Sequence, residues 1–145
     1  PHAAPKLHAL AKTYASCVKQ PIFHFFCALS AGLNLLIYGG NAHNGFAHSP
    51  APKVPTFIWL NNAYIEWYKT TFHITLNCKQ VLPVLHALQG HPEAARLWEE
   101  HITAILSKLG FTATTHEHNI YSAMIHGKIM LLLRKVDDFA HHQSL

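Results

Sequence analysis

Apolar residues along the first third of the chain predict two helices and a strand. They recur at intervals of three and four over residues 1–20, as in an amphipathic helix. Gln20-Pro21 is expected to end this helix, because the residue before a proline is disfavoured in the helical region. Residues 23–30 suit a second, short helix. The continuous apolar run 33–38 predicts a buried strand, and Gly39-Gly40 predicts a turn that closes it.

The middle of the chain alternates between irregular and ordered patterns. Residues 41–55 are rich in Asn, His, Gly and Pro, and they are predicted to be irregular. Residues 56–60 are β-prone, and Asn62 after them is the expected cap of a short helix.

One long helix and a hairpin are predicted in the last third. The helix is expected over residues 92–109, with a proline in its first turn and Gly110 after its end. Residues 120–125 and 129–133 flank His126-Gly127, which predicts a β-hairpin. Because helices and strands mix without regular alternation, the expected fold class is α+β.

Composition narrows the class of protein. Half of the 145 residues are hydrophobic and 12% are charged, which suits one packed domain and excludes a disordered chain. The most apolar stretch, residues 22–38, is shorter than the roughly 20 residues of a membrane span, so no membrane partner is expected. The three cysteines form no C-x-x-C pair, so no disulfide partner and an intracellular location are expected. The net charge of +4 is compatible with a polyanionic partner.

Asp137 and Asp138 are the clearest candidates for chemistry. They follow the apolar run 129–133, and two adjacent carboxylates beside a core strand repel each other unless a positive charge lies near them. A divalent cation relieves that repulsion, and Mg²⁺ binds carboxylate oxygens together with the phosphates of a substrate. The pair is also compatible with a solvated turn in which Arg134 and Lys135 neutralise the charge, and taken alone it favours that interpretation.

Histidine is unusually frequent, with 14 residues. A His-rich metal-binding domain is one alternative, and the candidate ligands of its zinc site are His43, His48, His116, His118, His141 and His142. Structural zinc sites, however, usually show tight ligand pairs that include cysteine, and no such pair is present in the sequence. Scattered surface histidines are the competing interpretation.

Four motifs in the same order resemble the reverse transcriptase of copia-type retrotransposons. Residues 85–98 resemble the pattern "ALYGLKQAPRLW", which opens a long helix in that family. Residues 118–121 resemble "DHSLY", residues 131–138 resemble the strand and turn that end in "YVDD", and residues 40–46 resemble "MDVKTAF". The matches in the first motif are Ala87, Leu88, Gly90, Ala94, Arg96, Leu97 and Trp98.

This resemblance implies part of a polymerase hand and the chemistry of that hand. Residues 1–32 are expected to be fingers-like and residues 33–145 palm-like around helix 92–109, without thumb, RNase H or integrase parts. The implied activity is RNA-directed DNA synthesis on an RNA template and a DNA primer. Two Mg²⁺ ions, held by three aspartates, would serve that reaction. Asp137 and Asp138 fall on two of these aspartates and are the expected metal ligands and catalytic residues.

Asn41 falls on the position of the third aspartate, and it is the main departure from the family. An amide offers a cation only a weak neutral oxygen, so impaired Mg²⁺ binding and an inactive copy are expected. Phe46 falls on the aromatic residue that excludes a ribose 2′-hydroxyl. Substrate contacts are expected from Gln89, Gly90 and Arg96. Three further residues depart from the family pattern and also favour an inactive copy: His43, Glu93 and Lys135.

Two further expectations concern the end of the chain and its charge. Leu145 lies seven residues after Asp138, which leaves little room for a return strand. A palm sheet with an exposed hydrophobic edge and marginal stability is therefore expected. A non-catalytic nucleic-acid-binding remnant is the alternative function, based on the +4 charge and the retained segment 89–93.

Overall fold

The computed structural model describes residues 15–143 of the chain. Its elements follow one another as α1 Gln20–Gly32, β1 Leu36–Asn41, α2 Gly45–His48, β2 Phe57–Trp59, α3 Asn62–Phe72, β3 Val81–Pro83, α4 Ala94–Lys108, β4 Thr112–Ala113, β5 Ile120–Ile125, β6 Lys128–Lys135 and β7 Asp138–Gln143. Helices and antiparallel strands mix without β-α repetition, which confirms the predicted α+β class.

Most strands form one antiparallel sheet with the order β1-β7-β6-β5-β4, and β2 pairs with β3 in a separate two-stranded sheet. The predicted hairpin is confirmed, because β5 and β6 pair across His126-Gly127. His126 has φ 50° and Gly127 has φ 75°, so both residues lie in the left-handed region. A two-residue hairpin turn with that conformation matches the natural twist of the strands.

The sheet is covered by a helix on each face, and the alternation of side chains decides which residues meet which helix. On one face, Phe26 of α1 packs with Ile120 and Leu133. On the other face, Trp98 of α4 packs with Tyr121, Leu132 and neighbouring side chains. Successive residues of a strand point to opposite faces, so β5 and β6 each contribute to both layers of the core.

The N-terminal helix prediction was wrong in the part that the structure describes. Residues 15–19 are not helical, and α1 begins at Gln20, where the predicted helix was to end. Pro21 lies in the first turn of α1. A proline is tolerated there because the first N–H groups of a helix have no intrahelical partner. Residues 1–14 of the predicted helix lie outside the described residues.

The strand predicted as buried over residues 33–38 is shifted and exposed. It runs over Leu36–Asn41, and Gly39 and Gly40 lie inside it rather than in a turn. Gly39 pairs with Ala140 and Gly40 pairs with Phe139 of β7. All six residues of β1 are exposed, and the strand lies at one edge of the sheet.

The expectation that the acidic hairpin lacks a return strand was wrong. β7 begins at Asp138 and pairs with both β6 and β1. Only Val136 and Asp137 separate β6 from β7, so the turn uses very little chain.

Two smaller predictions also need correction. The segment 41–55, predicted to be irregular, contains the short helix α2. Asn61 rather than Asn62 caps α3, since its Oδ1 accepts a hydrogen bond of 2.7 Å from the Tyr64 N–H.

The long-helix prediction is confirmed to within about two residues at each end.

The thiols of Cys17, Cys27 and Cys78 are all free. None of the helices within residues 15–143 combines the length and the apolar character that crossing a membrane demands.

His142 of β7 makes the stability of the fold sensitive to acid. The side chain is buried and stacks on Phe26 with the ring centroids 6.0 Å apart. Burial lowers the pKa of His142 below its ordinary value of 6.5, and the neighbouring His141 adds to this effect. Below that ordinary value the unfolded chain binds the proton more readily than the folded chain. Stability is therefore complete above about pH 6.5 and is lost as the pH falls through the lowered pKa.

We expect the free energy of unfolding to decrease as the pH falls below about 6.5, and His142→Leu to flatten this decrease. Denaturant unfolding at a series of pH values measures it. The matched control is His24→Leu, because His24 is an exposed residue of α1. An equally steep decrease in the His142→Leu variant would contradict the assignment to His142.

Candidate active site

Asn41 and Asp138, two of the three predicted catalytic positions, lie side by side. They are 97 residues apart in sequence, and they are backbone partners where β1 ends and β7 begins. The Asn41 Nδ2 donates a hydrogen bond of 2.9 Å to the Asp138 Oδ1, at the surface of the protein. Asp137, the third predicted position, precedes Asp138 in the turn. Its carbonyl oxygen accepts a hydrogen bond of 2.8 Å from the Ala42 N–H. The structure therefore brings together the motif at residues 40–46 and the motif at residues 131–138.

The turn that carries Asp137 is held in an unusual backbone conformation. Val136, its first residue, has φ 60°. A positive φ is rare for a β-branched side chain, because Cβ crowds the backbone there. Strained residues of this kind persist where the surroundings fix them. Here the Trp98 Nε1 donates a hydrogen bond of 2.8 Å to the Val136 carbonyl oxygen.

Trp98 in turn is fixed by a close approach of the backbone of α2. A Cβ at Gly45 would lie 3.0 Å from the Trp98 ring, so any larger residue at Gly45 would press on the indole. Trp98 is 3% exposed, and its ring centroid lies 6.4 Å from that of Phe46. Sequence reasoning placed Trp98 in a motif but assigned it no role in holding the turn.

The electrostatics of the pair differ from those of a metal site. The Asn41 amide supplies a neutral donor to the Asp138 carboxylate, where a cation would supply positive charge. The three positions thus offer two carboxylates and one amide whose N–H already points at a carboxylate. Within residues 15–143, no group of three or more His, Cys, Asp or Glu side chains is arranged to hold a metal ion. The residues at this site fit a Mg²⁺ ion poorly, because Mg²⁺ takes anionic oxygens in a near-octahedral arrangement.

Arg134 has a different role from the one considered for it. The interpretation as a solvated turn made Arg134 a neutralising neighbour of Asp137 and Asp138. Instead, its side chain is 1% exposed and bonds Glu99 Oε1 at 3.0 Å and Asn119 Oδ1 at 2.8 Å. The alternation of side chains along β6 could have predicted the burial of Arg134 from the sequence. It places Arg134 on the face of Leu132, which α4 covers, and a charge on that face requires a partner.

Phe46 and Arg96, two of the predicted substrate-binding residues, have partners within the protein. Phe46 is half-buried in α2 and packs against Trp98 and against the cluster around Leu97. Arg96 forms ion pairs with Glu100 at 2.5 Å and Glu93 at 3.1 Å. The hydrogen bond that Arg96 donates to the Glu100 carboxylate raises the pKa of Arg96 above its ordinary value. Its guanidinium is therefore shared between two carboxylates, and a substrate contact from Arg96 stays a prediction.

Gln89 and Gly90, the other two predicted substrate-binding residues, are exposed in the loop before α4. Gly90 has φ 87°, a conformation that favours glycine. Ala87 and Ala94, on either side of them, pack with Leu97 against Phe46. This contact attaches the loop to α2, which follows Asn41 in the chain. A substrate contact from Gln89 or Gly90 stays a prediction.

No protein-family model matches the chain, and neither a curated protein nor a solved structure matches it. A function for the chain is therefore inferred from its motifs and from the geometry of the Asn41–Asp138 pair.

Proposed function

We propose that the chain derives from the palm of a copia-type retrotransposon reverse transcriptase and that this copy does not catalyse nucleotide addition. The observation that carries the proposal is the pairing of Asn41 with Asp138 beside Asp137. The resemblance assigns these three positions to one site although they come from motifs at opposite ends of the chain. A random acidic pair in a turn has no reason to meet the residue that the first motif singles out.

The placement of the other motifs supports the same proposal. The long motif leads into α4, and its final residue, Trp98, bonds the carbonyl oxygen of Val136 in the acidic turn. The motif at residues 118–121 leads into β5, which pairs with β6 directly before that turn. The motif at residues 40–46 contributes Asn41, which pairs with Asp138 of β7. The three motifs other than residues 131–138 therefore all contact the β6–β7 hairpin, which carries Asp137 and Asp138. In an intact member of the family, the corresponding site would hold Mg²⁺ ions and act on an RNA template and a DNA primer.

Inactivity follows from the chemistry of Asn41. In a two-metal nucleotidyl transfer, the ions activate the primer hydroxyl and stabilise the leaving oxygen, and anionic ligands hold them. Asn41 supplies no anionic oxygen, so the site has one metal ligand fewer. Its amide also donates a hydrogen bond to an oxygen of Asp138, which is a second expected ligand. Loss of a catalytic group of this kind typically raises the barrier by about 4 kcal/mol or more. We therefore expect the rate to fall by several orders of magnitude relative to an intact site.

A primer-extension assay tests the proposal. We expect no incorporation on a poly(rA) template with an oligo(dT) primer, in either Mg²⁺ or Mn²⁺. The Asp137→Ala variant serves as the control for contaminating polymerases, and it should give the same background as the wild type. Metal-dependent incorporation that disappears in Asp137→Ala would show that the site is active and would overturn the inactivity.

Asn41→Asp tests whether the site is a metal site that has lost a ligand. Without divalent cations, we expect this variant to be less stable than the wild type by about 1 kcal/mol, because a donor is replaced by a second carboxylate beside Asp138. Mg²⁺ or Mn²⁺ relieves that repulsion. Either ion should therefore raise the melting temperature of Asn41→Asp more than that of the wild type.

The matched control for this prediction is Asn44→Asp, because Asn44 is an exposed asparagine three residues further along the chain. It adds the same charge without a hydrogen bond to Asp138. Equal metal responses in the wild type, Asn41→Asp and Asn44→Asp would contradict the proposed ancestry of the site.

A further inference from the structure

The edge strand β1 is open on one side. It pairs with β7 along its whole length, and no strand within residues 15–143 pairs with its other side. Its three large apolar residues are each about 44% exposed: Leu36 at 45%, Ile37 at 43% and Tyr38 at 44%. An open edge presents unpaired N–H and C=O groups that can bond another strand.

The two edges of the sheet differ in how they are protected. β4, at the far edge, has only two residues, and a very short edge strand offers little to pair with. β1 has six residues, and it contains no charged residue and no proline. Its register with β7 is continuous from Leu36 to Asn41, so no bulge turns the edge away. Of the two edges, β1 is the one suited to pairing with another strand.

The order of residues in β1 indicates which strand it fits. Its first half, Leu36 to Tyr38, is large, and its second half, Gly39 to Asn41, is small. With a two-fold axis through Gly39, a second β1 that runs antiparallel places Tyr38 opposite Gly40 and Ile37 opposite Asn41. Tyr38 then lies over a glycine, and an aromatic ring across from an edge glycine is a stabilising arrangement.

We propose that β1 pairs with β1 of a second copy of this chain, antiparallel, about a two-fold axis through Gly39. The contact is isologous, because the same residues serve on both sides. It joins the two five-stranded sheets into one continuous sheet. Although the chain carries a net charge of +4, β1 is neutral, so the pairing brings no like charges together within the two strands.

The dimer would also set the distance between the two candidate sites. Asn41 of one copy lies opposite Ile37 of the other, four residues along the strand. The two Asn41 positions are therefore separated by about 14 Å along the strand direction. This arrangement does not depend on the proposed polymerase ancestry, because it uses only the edge of the sheet.

Sedimentation equilibrium of the wild type, from low micromolar to submillimolar concentration, tests the proposal. We expect a reversible monomer–dimer equilibrium. Ile37→Lys should weaken it at least about tenfold, because two charges would enter the paired edge of each dimer. The matched control is Ile129→Lys, since Ile129 of β6 is 65% exposed and lies away from the open edge. This control should dimerise like the wild type.

Hydrogen exchange of the wild type adds a measurement that requires no variant. At high concentration we expect slower exchange of amides within residues 36–41 than at low concentration, with no comparable change in β4. A wild type that stays monomeric throughout the range overturns the proposal. So does a dimer that Ile37→Lys leaves intact, or one that Ile129→Lys dissociates to the same extent. Protection confined to another segment would also exclude the β1 pairing.

Discussion

Trp98→Ala is expected to lower the free energy of unfolding by about 4 kcal/mol, as is typical when a buried aromatic residue is truncated. Trp98 is 3% exposed and forms one cluster with Ile102, Leu106 and Tyr121. The substitution removes this packing, and it also removes the Nε1 donor of the Val136 carbonyl oxygen. Both losses act on the turn that carries Asp137, so the variant should disturb the candidate site as well as the core.

Denaturant unfolding followed by far-ultraviolet circular dichroism measures the change. Trp67→Ala is the matched control, because Trp67 of α3 is 53% exposed and its removal should cost less than about 1 kcal/mol. Trp98→Phe separates the two losses, since it retains an aromatic ring and deletes the donor. Similar costs for Trp98→Ala and Trp67→Ala would show that the packing of Trp98 is not as described.

Arg134→Met is expected to destabilise the protein by about 3 kcal/mol, which corresponds to about 10 °C in melting temperature for a chain of this size. The guanidinium is 1% exposed and bonds the Glu99 carboxylate and the Asn119 amide oxygen. Ser16 joins the same network through hydrogen bonds to Glu99 and Asn119. Removing the cation leaves the Glu99 carboxylate half-buried without its counter-charge. That loss costs more than the methionine side chain gains by packing.

A double variant gives this prediction a sharper test. Arg134→Met combined with Glu99→Leu removes both charges, so it should be more stable than Arg134→Met alone. Arg96→Met is the matched control. Arg96 is also paired with glutamates, but its partner Glu100 is 59% exposed, and pairs near the surface contribute less than about 1 kcal/mol. If Arg134→Met costs no more than Arg96→Met, the buried network does not stabilise the fold.

The elements that the sequence predicted well are those whose signals are local. The spacing of three and four over residues 92–109 gave the long helix, and the apolar residues on either side of His126-Gly127 gave the hairpin. In both cases the residues that form the element are enough to predict it, because helix caps and two-residue turns depend on neighbouring residues in the sequence. The prediction at Pro21 failed for a related reason. A proline is compatible with either end of a helix, and local sequence did not distinguish them.

The candidate site was predictable as a set of residues but not as an arrangement. Motif order selected Asn41, Asp137 and Asp138, whereas the 2.9 Å bond between the Asn41 amide and Asp138 depends on β1 pairing with β7. That pairing joins residues about a hundred positions apart, so no local pattern reports it. The same limit explains why Gly39-Gly40 suggested a turn. Glycine is common in turns, and only the partner strand shows that the two glycines continue β1.

By itself, the sequence determined the α+β class, the long helix, the β5–β6 hairpin and the residues that are candidates for chemistry. These follow from periodicity, turn residues and side-chain chemistry, which act over a few positions. Only the tertiary structure decided that β7 returns beside β1, that Arg134 is buried against Glu99, and that Trp98 fixes the Val136 turn. Each of these is a contact between segments far apart in the chain. Its energy comes from burial and from hydrogen bonds that exist only after the sheet and the two helices have come together.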